Sequence, residues 1–406
     1  MHRINENVVF VQGAIKGALY DFITGRVFWI NENSCAVVNK LTTTQNPIFT
    51  YEEQEYIDDL VKENLFDKNY IVKPYIPEAT ELTTLEMAWL EVTQTCNCKC
   101  LHCYQGEEHK SAKILLDIED WKNIIVKLKK LEVKRVVVIG GEPCTYKYID
   151  QILECLCENK IKTTLFTNGT LFSDSLKKLI VQNKDNIKIK VSLYGDNCHS
   201  HDQITRVNGS FKTLENTIKY FKKNNVDVDI AVVVMKENQD IIDKIENYIT
   251  DLDIKYNGYD VIRNVFGGTQ DQHTPDNTDI ISSSTFLKPE FFASLKRFTN
   301  NTHKNSCWFG KLAITETGDV LPCVFERNII YGNTKDVSLE NILTSHALKK
   351  NWFCDFSQVD FCKDCEFRFA CRDCRPLAMA TAGRKTDKNP RCTYNPYTGE
   401  WGNKNE

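Results

Sequence analysis

At 406 residues the chain exceeds an ordinary single domain, and its length suggests two or three. Its 51 basic and 55 acidic side chains nearly cancel, which excludes a global field directed at nucleic acid or an anionic membrane. No apolar run approaches the ~18 residues of a membrane span and no signal-like segment follows Met1-His2-Arg3, so a soluble cytoplasmic protein is expected. Cysteine breaks this plain background. There are seventeen, eight of them between Cys307 and Cys392, and in a reducing compartment such density reads as metal ligation rather than disulfides.

In chain order, Val8 to Val11, Ala18 to Phe22 and Arg26 to Ile30 read as strands, the last two joined at a Thr24-Gly25 turn. A helix capped by Ser34 should run to Leu41, and a second over Glu52 to Leu65 carries Tyr56, Ile57, Leu60, Val61 and Leu65 at helical spacing. A small sheet followed by helices predicts a winged-helix-like domain over residues 1–80. Such a unit can bind DNA, but this one holds seven Lys/Arg against eleven Asp/Glu, a poor match to phosphate. Residues 70–86, with Pro74 and Pro77, read as a linker.

From Met87 to about Asn264 strand and helix patterns alternate, with strands at Met87–Val92, Arg135–Ile139, Ile161–Thr167, Ile187–Leu193, Val226–Met235 and Tyr259–Arg263. Six such units predict an α/β fold, a parallel sheet curled into a partial (β/α)6 TIM-like barrel over residues 87–265. Chemistry in such barrels sits on loops at the C-terminal strand ends. Cys96, Cys100 and Cys103 follow the first strand in C-x₃-C-x₂-C spacing. Gly140-Gly141-Glu142-Pro143 follows the second, Asn168-Gly169-Thr170 the third, and Ser192-Leu193-Tyr194-Gly195 closes the fourth. Three thiolates on one loop can hold three irons of a 4Fe–4S cluster and leave the fourth open. A zinc knuckle would instead use two C-x₂-C pairs. Cys98 is surplus to this spacing, and Cys35, Cys144, Cys155, Cys157 and Cys198 read as single thiols without a site.

The cysteine loop resembles the signature of the radical S-adenosylmethionine (SAM) superfamily. The resemblance implies that the open iron chelates SAM and that Gly140, Gly141 and Glu142 bind its methionine amino group. It also implies that Ser192 and Arg206 hold ribose and carboxylate, with Asn168 a further contact. Where the family prefers an aromatic residue before the third cysteine, this chain has His102. The hairpin Ala18 to Ile30, with Tyr20-Asp21 and Gly25-Arg26, resembles the element that binds leader segments of ribosomally made precursor peptides, which implies a peptide held as an added strand.

Residues 266–300 read as a connector. Over residues 301–406, Cys307, Gly318 and Cys323, then Cys362, Cys365, Cys371, Cys374 and Cys392, resemble the SPASM auxiliary iron–sulfur domain of peptide-modifying radical enzymes. One gap is x₂ where the family has x₃, which puts Cys374 in question. The resemblance implies that Cys307, Cys323 and Cys374 bind one auxiliary cluster and Cys362, Cys365, Cys371 and Cys392 a second. The first cluster's fourth position falls to Cys354 or stays open for a substrate thiolate. With the SAM-binding cluster this makes three 4Fe–4S clusters, reduced by a small flavodoxin- or ferredoxin-type donor. The expected enzyme abstracts hydrogen from a precursor-peptide residue and installs a thioether or a carbon–carbon or carbon–oxygen crosslink. The alternatives are sulfatase-maturing-type oxidation of Cys or Ser in a protein, and a non-enzymatic iron–sulfur or zinc peptide-binding protein.

Overall fold

The computed structural model describes residues 3–4, 7–44, 46–67, 84–106, 115–254, 256–263, 265, 270–277, 280–281 and 292–402. Most of the 70–86 linker, and residues 266–269, 278–279 and 282–291 of the connector, lie outside the described residues. The chain divides into two compact units, Met1–Glu81 with Phe286–Cys307 and Trp352–Glu406, and Leu82–Thr285 with Trp308–Asn351. These units cut across the four consecutive segments read from the sequence.

The first unit opens with an antiparallel sheet of β1 (Val8–Gln12), β2 (Gly17–Asp21) and β3 (Val27–Ile30), followed by α1 (Glu32–Thr43) and α2 (Tyr51–Lys62). Asn31, not Ser34, caps α1: its side chain accepts from the Ser34 N–H at 2.9 Å, which makes Ser34 the third helical residue. Thr50 and Glu53 cap α2 reciprocally.

Every residue of β2 is buried, because successive side chains point to opposite faces and both faces are covered. Leu19 packs with Val38, Leu41, Ile57 and Leu60 of the helices. Ala18 and Tyr20 pack with Phe298, Phe367, Ala370 and Tyr394 from the far end of the chain. Phe298 lies on a helix, Leu295–His303, inside the segment read as a connector. Polar groups complete this second seam. The Tyr20 hydroxyl donates to the Glu366 carbonyl at 2.8 Å, the Ala14 N–H to the Asp364 carbonyl at 2.8 Å, and the Arg368 guanidinium to the Gln12 carbonyl at 3.0 Å. The Glu366 carboxylate, fully buried, accepts from the Trp29 indole N–H at 2.8 Å and from the Tyr394 hydroxyl. The N-terminal sheet and the cysteine-rich C-terminal segment therefore share one core.

The second unit is built on a nine-stranded sheet. Six parallel strands follow one another in space as in sequence: β4 (Met87–Glu91), β5 (Arg135–Ile139), β6 (Lys162–Thr167), β7 (Ile187–Leu193), β8 (Val228–Val234) and β9 (Asp260–Val261). Helices cross between them. α3 (Ile118–Lys130) buries Trp121, Ile124, Ile125 and Leu128, the stripe its spacing predicts. The sheet continues past β4. β10 (Lys311–Ile314) pairs with β4 in parallel, and β11 (Asp319–Leu321) and β12 (Gly332–Asn333) add antiparallel strands. Residues 308–351 thus belong to the barrel unit, although the sequence groups them with the cysteine-rich end. No described helix is long and apolar enough to cross a membrane.

Glu366→Ala removes the shared acceptor of the half-buried Trp29 indole N–H and of the buried Tyr394 phenol. The iron-free protein is expected to lose about 3 kcal/mol, read as a fall in its denaturant midpoint; an unchanged midpoint contradicts the shared core.

Candidate functional site

The loops after β4, β5, β6 and β7 open on one cavity. Its walls include Cys96, Cys100 and Cys103, then Gly140 and Gly141, then Asn168, and Ser192 with Tyr194. The cysteine loop is held from two sides. Its Lys99 and Leu101 N–H groups donate to the carbonyls of Thr205 and Ile204 at 3.1 and 3.0 Å, two acceptors at the end of a helix, Cys198–Thr205, that has no further turn to use them. Arg206 ends that helix in the left-handed region at φ 56°. On the other side Asn97 donates to Thr170 and accepts from the Asn168 side chain, each at 2.8 Å.

The Gly-Gly-Glu turn is stapled to the same loop. The Gly141 N–H donates to the Thr93 carbonyl and the Glu142 N–H to the Thr95 carbonyl, both at 2.8 Å. A Cβ at Gly140 would stand 2.2 Å from the Thr93 carbonyl oxygen, and one at Gly141 2.4 Å from that of Gln94. Backbone contact with the cysteine loop therefore requires both glycines. The Glu142 side chain does not reach the cavity wall. Fully buried, it accepts from the Thr167 hydroxyl at 2.7 Å, the Asn168 N–H at 2.7 Å and the Cys144 N–H at 3.0 Å, and so fixes the loop after β6 against the loop after β5. Burial raises its carboxyl above the usual range, and those three hydrogen bonds pull it back down.

The sequence named His102 and Tyr194 but gave no role to Cys98, Trp89, Tyr104, Phe325, Asp260 and Arg263, which also line the cavity. Cys98, read as a bystander, lines it and accepts from the Asn168 amide at 3.4 Å; hydrogen bonding to Cys100 comes first among the causes that raise its thiol to about 12. His102, with its pKa pushed down to about 4 by burial, meets Tyr194 edge-on at 4.6 Å. Tyr194 in turn stacks on His201 at 5.5 Å, and its N–H donates to His201 Nδ1 at 3.2 Å. Trp89, Tyr104, Phe325, Asp260 and Arg263 complete the far side, with Tyr104 and Phe325 edge-on at 5.3 Å and Arg263 paired to Asp260. Trp89 was legible, since β4 alternates and its residue 89 must face as 87 and 91 do; Phe325 carried no local signal. Arg206 is not among the cavity walls: it lines a separate depression with Cys198, His199 and Asp202.

The auxiliary cysteines divide between the units. Cys362, Cys365, Cys371 and Cys392 lie in the first, and the Cys371 thiol is raised by burial and then by Cys392, Cys362 and Cys365, so the four stand within reach of one another's charge. Buried Asn305 joins two more of that unit, accepting from the Cys307 N–H at 2.9 Å and donating to the Cys354 carbonyl at 2.7 Å. Cys374 precedes a helix, Arg375–Ala382, whose Arg375 is fully buried on Asp373. Cys323 follows β11 in the second unit. Among the described residues no three His, Cys, Asp or Glu side chains converge as ligands of a single ion. Cys96, Cys100 and Cys103 share one wall of the cavity, and thiolates so grouped are the donor type that an iron–sulfur cube takes on separate irons. Burial raises the Cys103 thiol, and ligation to a cluster would exchange that proton for iron.

Residues 90–249 match the model of the radical SAM superfamily, and residues 307–366 match that of the SPASM iron–sulfur cluster-binding domain. The chain is similar to the antilisterial bacteriocin subtilosin biosynthesis protein AlbA of Bacillus subtilis, 27% identical over 71% of this chain and 66% of that one. It is similar also to an AdoMet-dependent heme synthase of Methanosarcina barkeri, 23% identical over 76% of this chain and 96% of that one. Among solved structures, SuiB of Streptococcus suis shares the fold at a TM-score of 0.62 and 17% identity, over 96% of this chain and 99% of that one. The chain thus spans just under two thirds of the subtilosin protein's length.

Two outcomes are expected. Gly141→Ala forces the turn off the Gln94 and Thr95 carbonyls and should abolish SAM binding by calorimetry while the fold survives; wild-type affinity contradicts the packing described. His201 is held neutral by burial, at about 4 against an ordinary 6.5. That depressed value gives stability that is full above pH 6.5 and is lost as pH falls toward 4. Between pH 7 and pH 5 urea midpoints should show His201→Asn losing about 2 kcal/mol less stability than wild type, the remaining loss belonging to other groups such as His102.

Proposed function

Starting from a chain that belongs to the radical SAM superfamily and carries a SPASM iron–sulfur domain, we propose that it matures a ribosomally made precursor peptide by installing a crosslink. The observation that carries this is the convergence of the three loop cysteines, the Gly-Gly turn, Asn168 and Ser192 on one cavity at the C-terminal ends of β4 to β7. When bound, the cluster and SAM supply a 5′-deoxyadenosyl radical by one-electron reductive cleavage.

The protein's part is to bind, aim and keep dry. Cys96, Cys100 and Cys103 would hold the SAM-binding cluster, and Gly140 and Gly141 would let cofactor approach the backbone. Asn168 and Ser192 would orient its polar groups, and the apolar and aromatic side of the cavity, Trp89, Tyr104 and Phe325, would receive the peptide residue and exclude water. Glu142 acts here as a positioning residue through Thr167 and Asn168. Hydrogen abstraction followed by bond formation leaves one electron to remove, which a cluster on Cys362, Cys365, Cys371 and Cys392 and a second auxiliary cluster would accept. The shared Asn305 supports Cys354 beside Cys307. A small flavodoxin- or ferredoxin-type donor would reduce the first cluster, in the cytoplasm, where thiols stay reduced. Residues 1–80 would hold the leader segment as an added strand; SuiB, whose fold covers this region, has been solved with its precursor peptide SuiA bound.

Anaerobically purified protein is expected to contain about twelve irons per chain, falling to about eight in Cys96→Ala/Cys100→Ala/Cys103→Ala with deoxyadenosine release abolished. Zinc without iron sinks the radical mechanism. Deoxyadenosine release with no change in peptide mass, across candidate precursors, keeps the radical chemistry and withdraws the peptide, the outcome toward which the heme synthase relative points.

A further inference from the structure

Beneath the cysteine loop lies a buried ion pair that no cofactor contact explains. Glu91, the last residue of β4, has no exposed surface, and Arg327 follows it 236 residues later with its side chain 11% exposed. The guanidinium grips both carboxylate oxygens, Nη1 donating to Oε2 at 2.6 Å and Nη2 to Oε1. The same Oε1 accepts from Gln105 Nε2 at 2.8 Å and from the Tyr104 hydroxyl at 3.3 Å. Tyr104 and Gln105 are the two residues directly after Cys103. Arg327 stands four residues after Cys323, and between them Val324 and Phe325 face the cavity, Phe325 edge-on to Tyr104.

A buried ion pair contributes little net stability against an apolar replacement of the same volume, because desolvation offsets attraction. What it adds is geometry: a bidentate fork admits one orientation. Here that orientation joins three segments far apart in sequence. We propose that Glu91 and Arg327 are positioning residues for the radical chemistry. They set the exit of the cysteine loop, and hence Cys103, against the Cys323-bearing segment and the aromatic wall. Neither touches substrate. The proposal rests on the reading that Cys103 ligates the SAM-binding cluster.

The test uses the full chain reconstituted anaerobically, with dithionite and SAM as the only reactants, as wild type and as Glu91→Gln/Arg327→Met. Removing both charges leaves no uncompensated buried ion, so the double variant should keep wild-type iron content and thermal midpoint. Its SAM-dependent electron paramagnetic resonance spectrum should change, and deoxyadenosine release should fall by roughly ten- to a hundredfold, the scale expected when reacting groups shift by about an ångström. A double variant with wild-type spectrum and release overturns the proposal and leaves the pair a fold-stabilising contact. If the double variant does not fold, Arg327→Lys, which keeps the charge and loses the fork, should show the altered spectrum; a wild-type spectrum there overturns the proposal equally. Wild type that releases no deoxyadenosine removes the radical reading and this proposal together. Active wild type with an unperturbed variant removes this proposal alone.

Discussion

The buried carboxylate of Glu142 is the interaction on which the rim of the barrel depends. An isolated carboxylate in this position would cost several kcal/mol, and it is tolerated because three donors from two loops converge on it. Its own backbone N–H meanwhile reaches back to Thr95 at the entrance of the cysteine loop. One residue thus orders the loops after β4, β5 and β6 together. Asn168, held by Glu142 through its N–H, then extends the network to Asn97 and Cys98. This chain of bonds gives the cavity its shape.

A second constraint organises the other unit. Because β2 is buried on both faces, the N-terminal sheet has no spare apolar face of its own. One face is covered by α1 and α2, the other by the segment that also carries Cys365 and Cys371. The contacts run through residues adjacent to those cysteines, Asp364, Glu366, Phe367 and Arg368. A peptide-binding function at this sheet and a cluster-binding function in that segment would share one hydrophobic core, so neither could be excised as a module.

Much of this was legible in the sequence where local rules decide. Arg135–Ile139, a short β-branched run, and Ile187–Leu193, an alternating one, form strands with those bounds, since each ends at a turn that leaves little freedom. The motifs converged because parallel strands put their following loops on one rim. Long-range choices were not legible. β10 to β12 are short strands in a stretch dominated by cysteines, and only their pairing with β4 makes them a sheet. Glu142 looked like a ligand contact because a charged residue in a glycine turn gives no sign of three buried donors awaiting it. Asn31 took the cap from Ser34 because the preceding strand ends at Ile30 and delivers Asn31 in extended geometry, at ψ 176°. The Glu91–Arg327 pair spans 236 residues and leaves no local trace.

The pairing of β4 with β10 has a consequence for assembly. β4, the strand that launches the cysteine loop, is an interior strand, flanked by β5 on one side and by β10 on the other. Met87 pairs with Lys311, and Leu90 with Ile314, so closing this edge joins parts of the chain more than two hundred residues apart. Such closure is slow and comes late, since the loop entropy must be overcome before the contacts form. During synthesis the three loop cysteines emerge long before their strand has its second neighbour. Iron delivered at that stage would meet a loop without its final walls.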